Sequence, residues 1–190
     1  MPRIAPTTQA LLLANVALFA LNALLGGALD DSLALWPIGD GFEPWQILTY
    51  SFLHEGLAHI ALNMFALYMF GSDVERVWGQ KRFLTYYFVC VVSAALTQLL
   101  FLWVTGDLFP TVGASGGIFG LLLAFALLFP SRRIVLLPIP IPMPAWLFVT
   151  LYGAVELIQG VTGSAAGVAH FAHLGGMLGG WLLLQYSRRR

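Results

Sequence analysis

The chain has 190 residues, of which 59% are hydrophobic and only 9% charged, with a formal net charge of zero and a mean hydropathy of +0.83. Soluble domains carry about 25% charged residues, so this composition excludes one and points to a polytopic membrane protein forming a single domain over 1–190. Zero net charge, with no basic patch outside the membrane flanks, excludes nucleic acid as a partner, and the lone Cys90 in an apolar run excludes an intramolecular disulfide framework.

Six apolar segments follow in order, at 8–29, 55–71, 83–104, 115–129, 145–162 and 168–187. The first is too long for a signal-peptide core and lacks an A-x-A cleavage site, so it reads as a retained helix. Residues 30–54 form a long connection holding Trp36, Phe42, Trp45, Tyr50 and Phe52, an aromatic density suited to the lipid headgroup region. The second segment carries His59 and Asn63, with His54 and Glu55 at its start; the fifth carries Glu156; the sixth carries His170 and His173. Ionisable groups at membrane depth are expensive and mark a functional pathway. Between the fourth and fifth segments, Pro138, Pro140, Pro142 and Pro144 alternate with apolar residues; this run cannot be helical and predicts a stiff connector, with Pro144 opening the next helix.

Orientation follows from the basic residues. Arg3, Arg76, Lys81, Arg82, Arg132, Arg133, Arg188, Arg189 and Arg190 all fall at one face, and the opposite loops contain no Lys or Arg. The positive-inside rule predicts cytoplasmic termini in the plasma (inner) membrane.

The fourth segment is the informative one. It runs from Ser115 only to Phe129, where a full crossing needs roughly 20 residues, so the helix must begin inside the bilayer. Counted up from Phe129 at 1.5 Å per residue, Ser115 lies about 21 Å above one edge of a layer about 30 Å thick, submerged below the external edge. Non-helical backbone at Gly113-Ala114 is tolerated there only beside a wet cavity or under protein. A serine among glycines at such a helix start is either a nucleophile or a packing residue and N-cap. The same count sets His59 and His173 at the depth of Ser115, with Asn63 one turn lower. Gly116 with Gly120, and Gly176 with Gly180, form small-xxx-small faces that let the fourth and sixth helices approach until a hydroxyl and an imidazole meet at about 2.6 to 3.2 Å. Phe119, one turn from Ser115, can stack on that imidazole.

These residues predict a Ser115–His173 dyad with Ser115 as nucleophile and His173 as general base. No acid is needed to explain the pair, and none is placed nearby except Glu156, whose depth and facing the sequence does not fix; the reading is a dyad and not a triad. Backbone N–H groups at Ser115 and Gly116 open the helix and can bind an oxyanion. His59 and Asn63, four residues apart, supply two further donors or serve as interhelical glue. A zincin-like site is disfavoured because His54 and His59 are five apart rather than four, and His170 with His173 lacks a cysteine or a placed carboxylate. The expectation is no metal and no cofactor.

His59-x-x-x-Asn63, Gly113-Ala114-Ser115-Gly116 and Ala172-His173-x-x-Gly176-x-x-x-Gly180 together resemble the three signatures of the rhomboid intramembrane serine proteases. The stretch from Trp45 to His54, and Glu75, are also similar to theirs. The resemblance implies a bacterial-type, all-α core of six transmembrane helices, with Ser115 as nucleophile, His173 as base, and His59 with Asn63 at the oxyanion. It implies transmembrane protein substrates within the lipid bilayer and an active site opening to the external, periplasmic side. Inactive relatives lose the serine or histidine or carry a proline beside the serine, whereas this chain has Ser115, His173 and Ala114. Phe119 stands where many members have tyrosine. The alternatives are a silent rhomboid-like binding or quality-control protein and a small transporter using the polar layer. The short stretch Gln159 to Gly167 is expected to rearrange as a lid, with substrate passing laterally between the second and fifth helices.

Overall fold

A computed structural model describes residues 3–136, 139–163 and 168–188. Helix α1 spans Pro6–Leu24, with Pro6 at its first turn, where the missing N–H costs nothing. Its polarity is inverted relative to a soluble helix: Thr8, Asn15 and Asn22 are buried, while Leu13, Val16, Leu21 and Leu24 are exposed. That is the pattern of a helix whose outer face meets lipid. The 30–54 connection folds into two short helices, α2 (Asp30–Leu33) and α3 (Gln46–Thr49), followed by a 3₁₀ turn at Tyr50–Phe52. It is tied by side chains: Gln46 Oε1 accepts the N–H groups of Trp36 and Glu43, and the Tyr50 hydroxyl donates to the Val91 carbonyl at 2.8 Å.

Helix α4 (Leu57–Ala66) runs without a break through a π-helical turn at Leu67–Gly71 into α5 (Ser72–Trp78). The expected segment ended at 71; the helix continues because Asp73, Glu75 and Arg76 are held by partners beyond the apolar run. Glu75 accepts the N–H groups of Thr7 (2.9 Å) and Thr8 (2.7 Å) and the Thr8 hydroxyl (2.8 Å), so a carboxylate from α5 satisfies the open N-terminus of α1. At the π turn, a Cβ on Gly71 would meet the Thr8 side chain at 3.0 Å, so glycine there lets α1 dock closely.

Gly79 separates α5 from α6 (Gln80–Thr105), which ends at Gly106 in a left-handed cap. Helix α7 (Ser115–Leu128) is buried around nearly its whole circumference and forms the centre of the bundle, flanked by α6 and α9 (His170–Arg188). Glycines set those contacts. A Cβ on Gly176 would lie 1.9 Å from the Gly116 carbonyl oxygen, one on Gly120 2.2 Å from Cys90 Sγ, and one on Gly180 2.3 Å from the Tyr86 hydroxyl. A second glycine face on α9, at Gly175 and Gly179, seats on Ser93 and Thr97 of α6, and the sequence reading did not include it.

The proline-rich connector is a two-stranded antiparallel hairpin, β1 (Arg133–Leu136) with β2 (Ile139–Pro144), in the register Arg133↔Pro144 and Ile134↔Met143. Prolines at alternate positions put every missing N–H on one edge of the strand, which leaves the other edge free to pair. Pro138 lies outside the described residues. Helix α8 (Ala145–Thr162) closes on Gly163 with a left-handed cap; the Ser164 to Gly167 part of the expected lid, and Arg189 and Arg190, also lie outside them. Among the described residues, four helical stretches are long and apolar enough to cross a membrane: Pro6–Leu24, Leu57–Trp78, Gln80–Thr105 and Ala145–Thr162. Helix α7 is a shorter apolar helix, and α9 has 19 residues. The architecture is an all-α polytopic bundle with one small hairpin.

Candidate active site

The site begins in the approach to α7. Leu35 and Thr111 exchange backbone hydrogen bonds at 3.0 and 2.9 Å, and the Gly113 N–H donates to the Tyr50 carbonyl at 3.0 Å. These bonds fasten the irregular strand before Ser115 to the 30–54 connection, giving the buried non-helical backbone the partners it needs. Gly113 has φ +127°, a region that a side chain rarely adopts, and a Cβ there would lie 2.8 Å from His59 Nε2. Glycine is therefore required twice over: for the turn, and for the imidazole of His59 lying against it. The turn delivers Ser115 as the first residue of α7, so the N–H groups of Ser115 and Gly116 belong to the unpaired first turn of a helix.

His173 lies on the second turn of α9. Its Nε2 is 2.8 Å from Ser115 Oγ. The glycine contact between Gly116 and Gly176 brings the two helices to that spacing, as Ser115 precedes the first by one residue and His173 precedes the second by three. Phe119 stacks on the His173 ring with centroids 4.3 Å apart and planes 6° from parallel, and Tyr152 of α8 packs against Phe119 at 5.0 Å. The pair faces a cavity of about 510 Å³ lined by Glu55, His59, Thr111, Val112, Ser115 and His173.

The remaining polar residues divide. His59 lines the cavity beside Gly113, and His54 meets it edge to face at 5.0 Å. Burial, and then the neighbouring His59, push the His54 imidazole down to about 4, so it is neutral at physiological pH. Asn63 is buried below and does not line the cavity; its side-chain Nδ2 donates to the His59 carbonyl at 2.9 Å. That bond uses one of the two amide hydrogens and turns the group along its own helix.

The acid that the sequence left unplaced faces the histidines. Glu156 of α8 is buried, and its Oε2 lies 2.7 Å from His173 Nδ1 and 2.7 Å from His170 Nδ1. The expected dyad thus has a carboxylate behind its base. The sequence signal was present, as a lone acid in an apolar helix and two histidines three apart on another, but the rotation of α8 about its axis is not readable from its weakly patterned run. The three donor atoms fall within 4.8 Å of one another, close enough for a metal. Nitrogen-to-oxygen separations of 2.7 Å are hydrogen-bond lengths, whereas ligands each about 2.0 to 2.2 Å from a tetrahedral zinc stand more than 3 Å apart.

The chain has known relatives. Residues 41–190 match the sequence model of the rhomboid domain. The chain is 32% identical over 149 residues to "Rhomboid protein 1, mitochondrial" of Saccharomyces cerevisiae, covering 72% of this chain and 40% of that one. It is 31% identical over 155 residues to "Rhomboid protease GluP" of Bacillus subtilis (82% and 27%), and 32% identical over 176 residues to "RHOMBOID-like protein 4" of Arabidopsis thaliana (85% and 40%). The matched region thus spans between about a quarter and two fifths of the length of these relatives. With a domain match over most of its length and relatives in bacteria and eukaryotes, the chain belongs to the rhomboid family of membrane proteins.

Proposed function

We propose that this chain is an intramembrane serine endopeptidase that cleaves transmembrane segments of membrane proteins, without metal or cofactor. The observation that carries the reading is the 2.8 Å approach of Ser115 Oγ to His173 Nε2 at the wall of a cavity in an otherwise apolar bundle. A serine hydroxyl is a weak nucleophile until a base takes its proton, and this distance is within the reach such a base requires. His173 Nε2 accepts the Ser115 proton as Oγ attacks the scissile carbonyl carbon. The carbonyl oxygen, now negative, is held by the N–H groups at the start of α7, with His59, which lies against Gly113, as a further donor. Collapse breaks the C–N bond, and the imidazolium returns its proton to the departing amine. Water then repeats the sequence on the acyl-enzyme, with His173 again as base.

The distribution of charge supports the orientation. Arg76, Lys81, Arg82, Arg132 and Arg133 gather at the ends of α5, α6 and the hairpin, opposite the Ser115 end of α7. In this reading six segments cross, α1, the continuous α4–α5, α6, α7, α8 and α9, with α7 starting below the external surface, both termini cytoplasmic, and the cavity opening to the external (periplasmic) side of the plasma membrane. For the substrate path, a groove of about 450 Å³ lies between the α4 and π-turn face (Leu62, Phe65, Met69) and α8 (Phe148, Tyr152), mostly apolar but bordered at the hairpin end by Asp73, Arg132 and Arg133. Tyr152 leads from that groove through Phe119 to His173. The occupant is a transmembrane segment of the substrate, whose upper turns unwind so that a peptide bond reaches Ser115.

A small fluorophosphonate tests the reading. It should modify Ser115 in the wild type and leave the His173→Ala variant unmodified; an unlabelled Ser115 in the folded wild type would favour a silent binding protein or a transporter.

A further inference from the structure

We infer that Glu156, with His170 behind it, is the positioning residue that sets which nitrogen of His173 faces Ser115. The inference rests on the serine protease reading above.

Among the described residues two acids are buried, Glu75 and Glu156. Glu75 is accounted for by the start of α1. Glu156 sits on α8 among Leu151, Tyr152, Val155, Leu157 and Ile158, which are exposed and apolar. A carboxylate there is costly unless strong donors meet it, and the donors are both on α9: the Nδ1–H groups of His170 and His173, each 2.7 Å from the same oxygen.

The geometry constrains His173 in a way that stacking does not. Phe119 lies parallel to the imidazole and fixes its plane, yet a half-turn of the ring about its Cβ–Cγ bond preserves that plane and carries Nδ1 and Nε2 to the opposite side. A neutral imidazole also has two tautomers, and only the one protonated on Nδ1 presents a lone pair to the serine proton. A carboxylate accepting from Nδ1 removes both freedoms. It requires a hydrogen on Nδ1, and it holds that edge toward α8, so the bare Nε2 points at Ser115 Oγ. As His173 becomes an imidazolium during attack, the same carboxylate stabilises the new charge. His170, whose ring is perpendicular to His173 with centroids 6.4 Å apart, supplies the second bond that holds the carboxylate in place.

The test uses the purified full chain in detergent and compares Glu156→Gln, Glu156→Asp and His170→Gln with the wild type. Readouts are kcat and KM on a transmembrane substrate, and the rate of Ser115 modification by a small fluorophosphonate across pH 5.5 to 9. Glutamine keeps the volume of Glu156 but brings an N–H₂ to the histidines and removes the charge. It should lower kcat and the labelling rate together by about 10²-fold, with KM within about twofold, as expected for a residue acting through the base. Because the imidazolium loses its counter-charge, the acid limb of the labelling profile should also move to a different pH; Glu55 and His59, which line the cavity, and His54, packed on His59, are common to all variants. Glu156→Asp should recover part of the loss, and His170→Gln should lose less than Glu156→Gln. Near wild-type kcat and labelling in Glu156→Gln would overturn the inference, as would a loss confined to KM. Should Glu156→Gln fail to fold, the decision passes to His170→Gln and Glu156→Asp, where an unmoved profile at full rate overturns it. Activity abolished by a chelator and restored by zinc would also overturn it, making the three side chains a metal site. Ser115→Ala and His173→Ala, run alongside, separate the cases: if both keep activity the protease reading fails, and if both are dead while Glu156→Gln is normal, only the role of Glu156 fails.

Discussion

Replacing Gly176 by alanine should separate Ser115 from His173, the proposed nucleophile and base, without touching either. An added Cβ would lie 1.9 Å from the Gly116 carbonyl oxygen and 2.7 Å from its carbon, both backbone atoms that no side-chain rotation can move. Ordinary contact begins near 3.4 Å, so α9 must shift from α7 by about 1.5 Å at this point. Ser115 precedes Gly116 and His173 is one turn before Gly176, so most of that shift is transmitted to the 2.8 Å contact and stretches it beyond hydrogen-bond reach. Overpacking of a tight core costs about 1–3 kcal/mol, which a folded bundle can survive, whereas a misplacement of about 1 Å at reacting atoms costs on the order of 10²-fold in rate. The assay is the rate of Ser115 labelling by a fluorophosphonate, beside thermal unfolding in detergent. Gly153→Ala serves as control, because its Cβ would meet only the Met177 side chain at 3.5 Å. Labelling of Gly176→Ala at the wild-type rate would refute the claim that this glycine contact sets the catalytic spacing.

The oxyanion donors should differ in weight. His59→Ala, which removes a side chain lining the cavity, should lower turnover more than Asn63→Ala, whose amide is engaged with the His59 carbonyl; each loss should stay below about 3 to 4 kcal/mol because the α7 backbone donors remain. Equal activity in the double variant and wild type would make both packing residues. Glu75→Gln removes the charge from a carboxylate with three donors on α1 and should cost about 1–3 kcal/mol in reversible unfolding while leaving kcat at low temperature intact; unchanged stability would contradict the anchoring role. Cysteines crosslinking α4 to α8 in a Cys90→Ser background should block cleavage of a transmembrane substrate but spare fluorophosphonate labelling; undiminished proteolysis would rule out lateral access between them.

Much of this was legible in the residues, and the limits are physical. The shortened fourth segment is fixed by Pro130 on one side and glycines on the other, and the structure has α7 at Ser115–Leu128. The small-residue faces also read directly, because only glycine permits the backbone contact between Gly116 and Gly176. What did not read were features of rotation and partnership. Glu156 lies on a helix apolar on nearly every side, so no hydrophobic stripe states which way it points, and its meeting with His170 and His173 is a tertiary fact. Asn63 could have turned into the cavity or along its helix, and periodicity does not say which; its amide donates to the His59 carbonyl one turn back. The hairpin was hidden by its prolines, which argue against helix but whose alternation permits pairing on one edge.

The central claim is that Ser115 and His173 act as one catalytic unit. Its most direct test is cleavage of a single-span membrane protein by the purified chain in proteoliposomes, with wild type, Ser115→Ala, His173→Ala and the double variant at equal amounts of folded protein. The account predicts cleavage by the wild type and a loss in each single variant about as large as in the double, because removing either member disables the unit. Cleavage by Ser115→Ala or His173→Ala at near wild-type rate would contradict it.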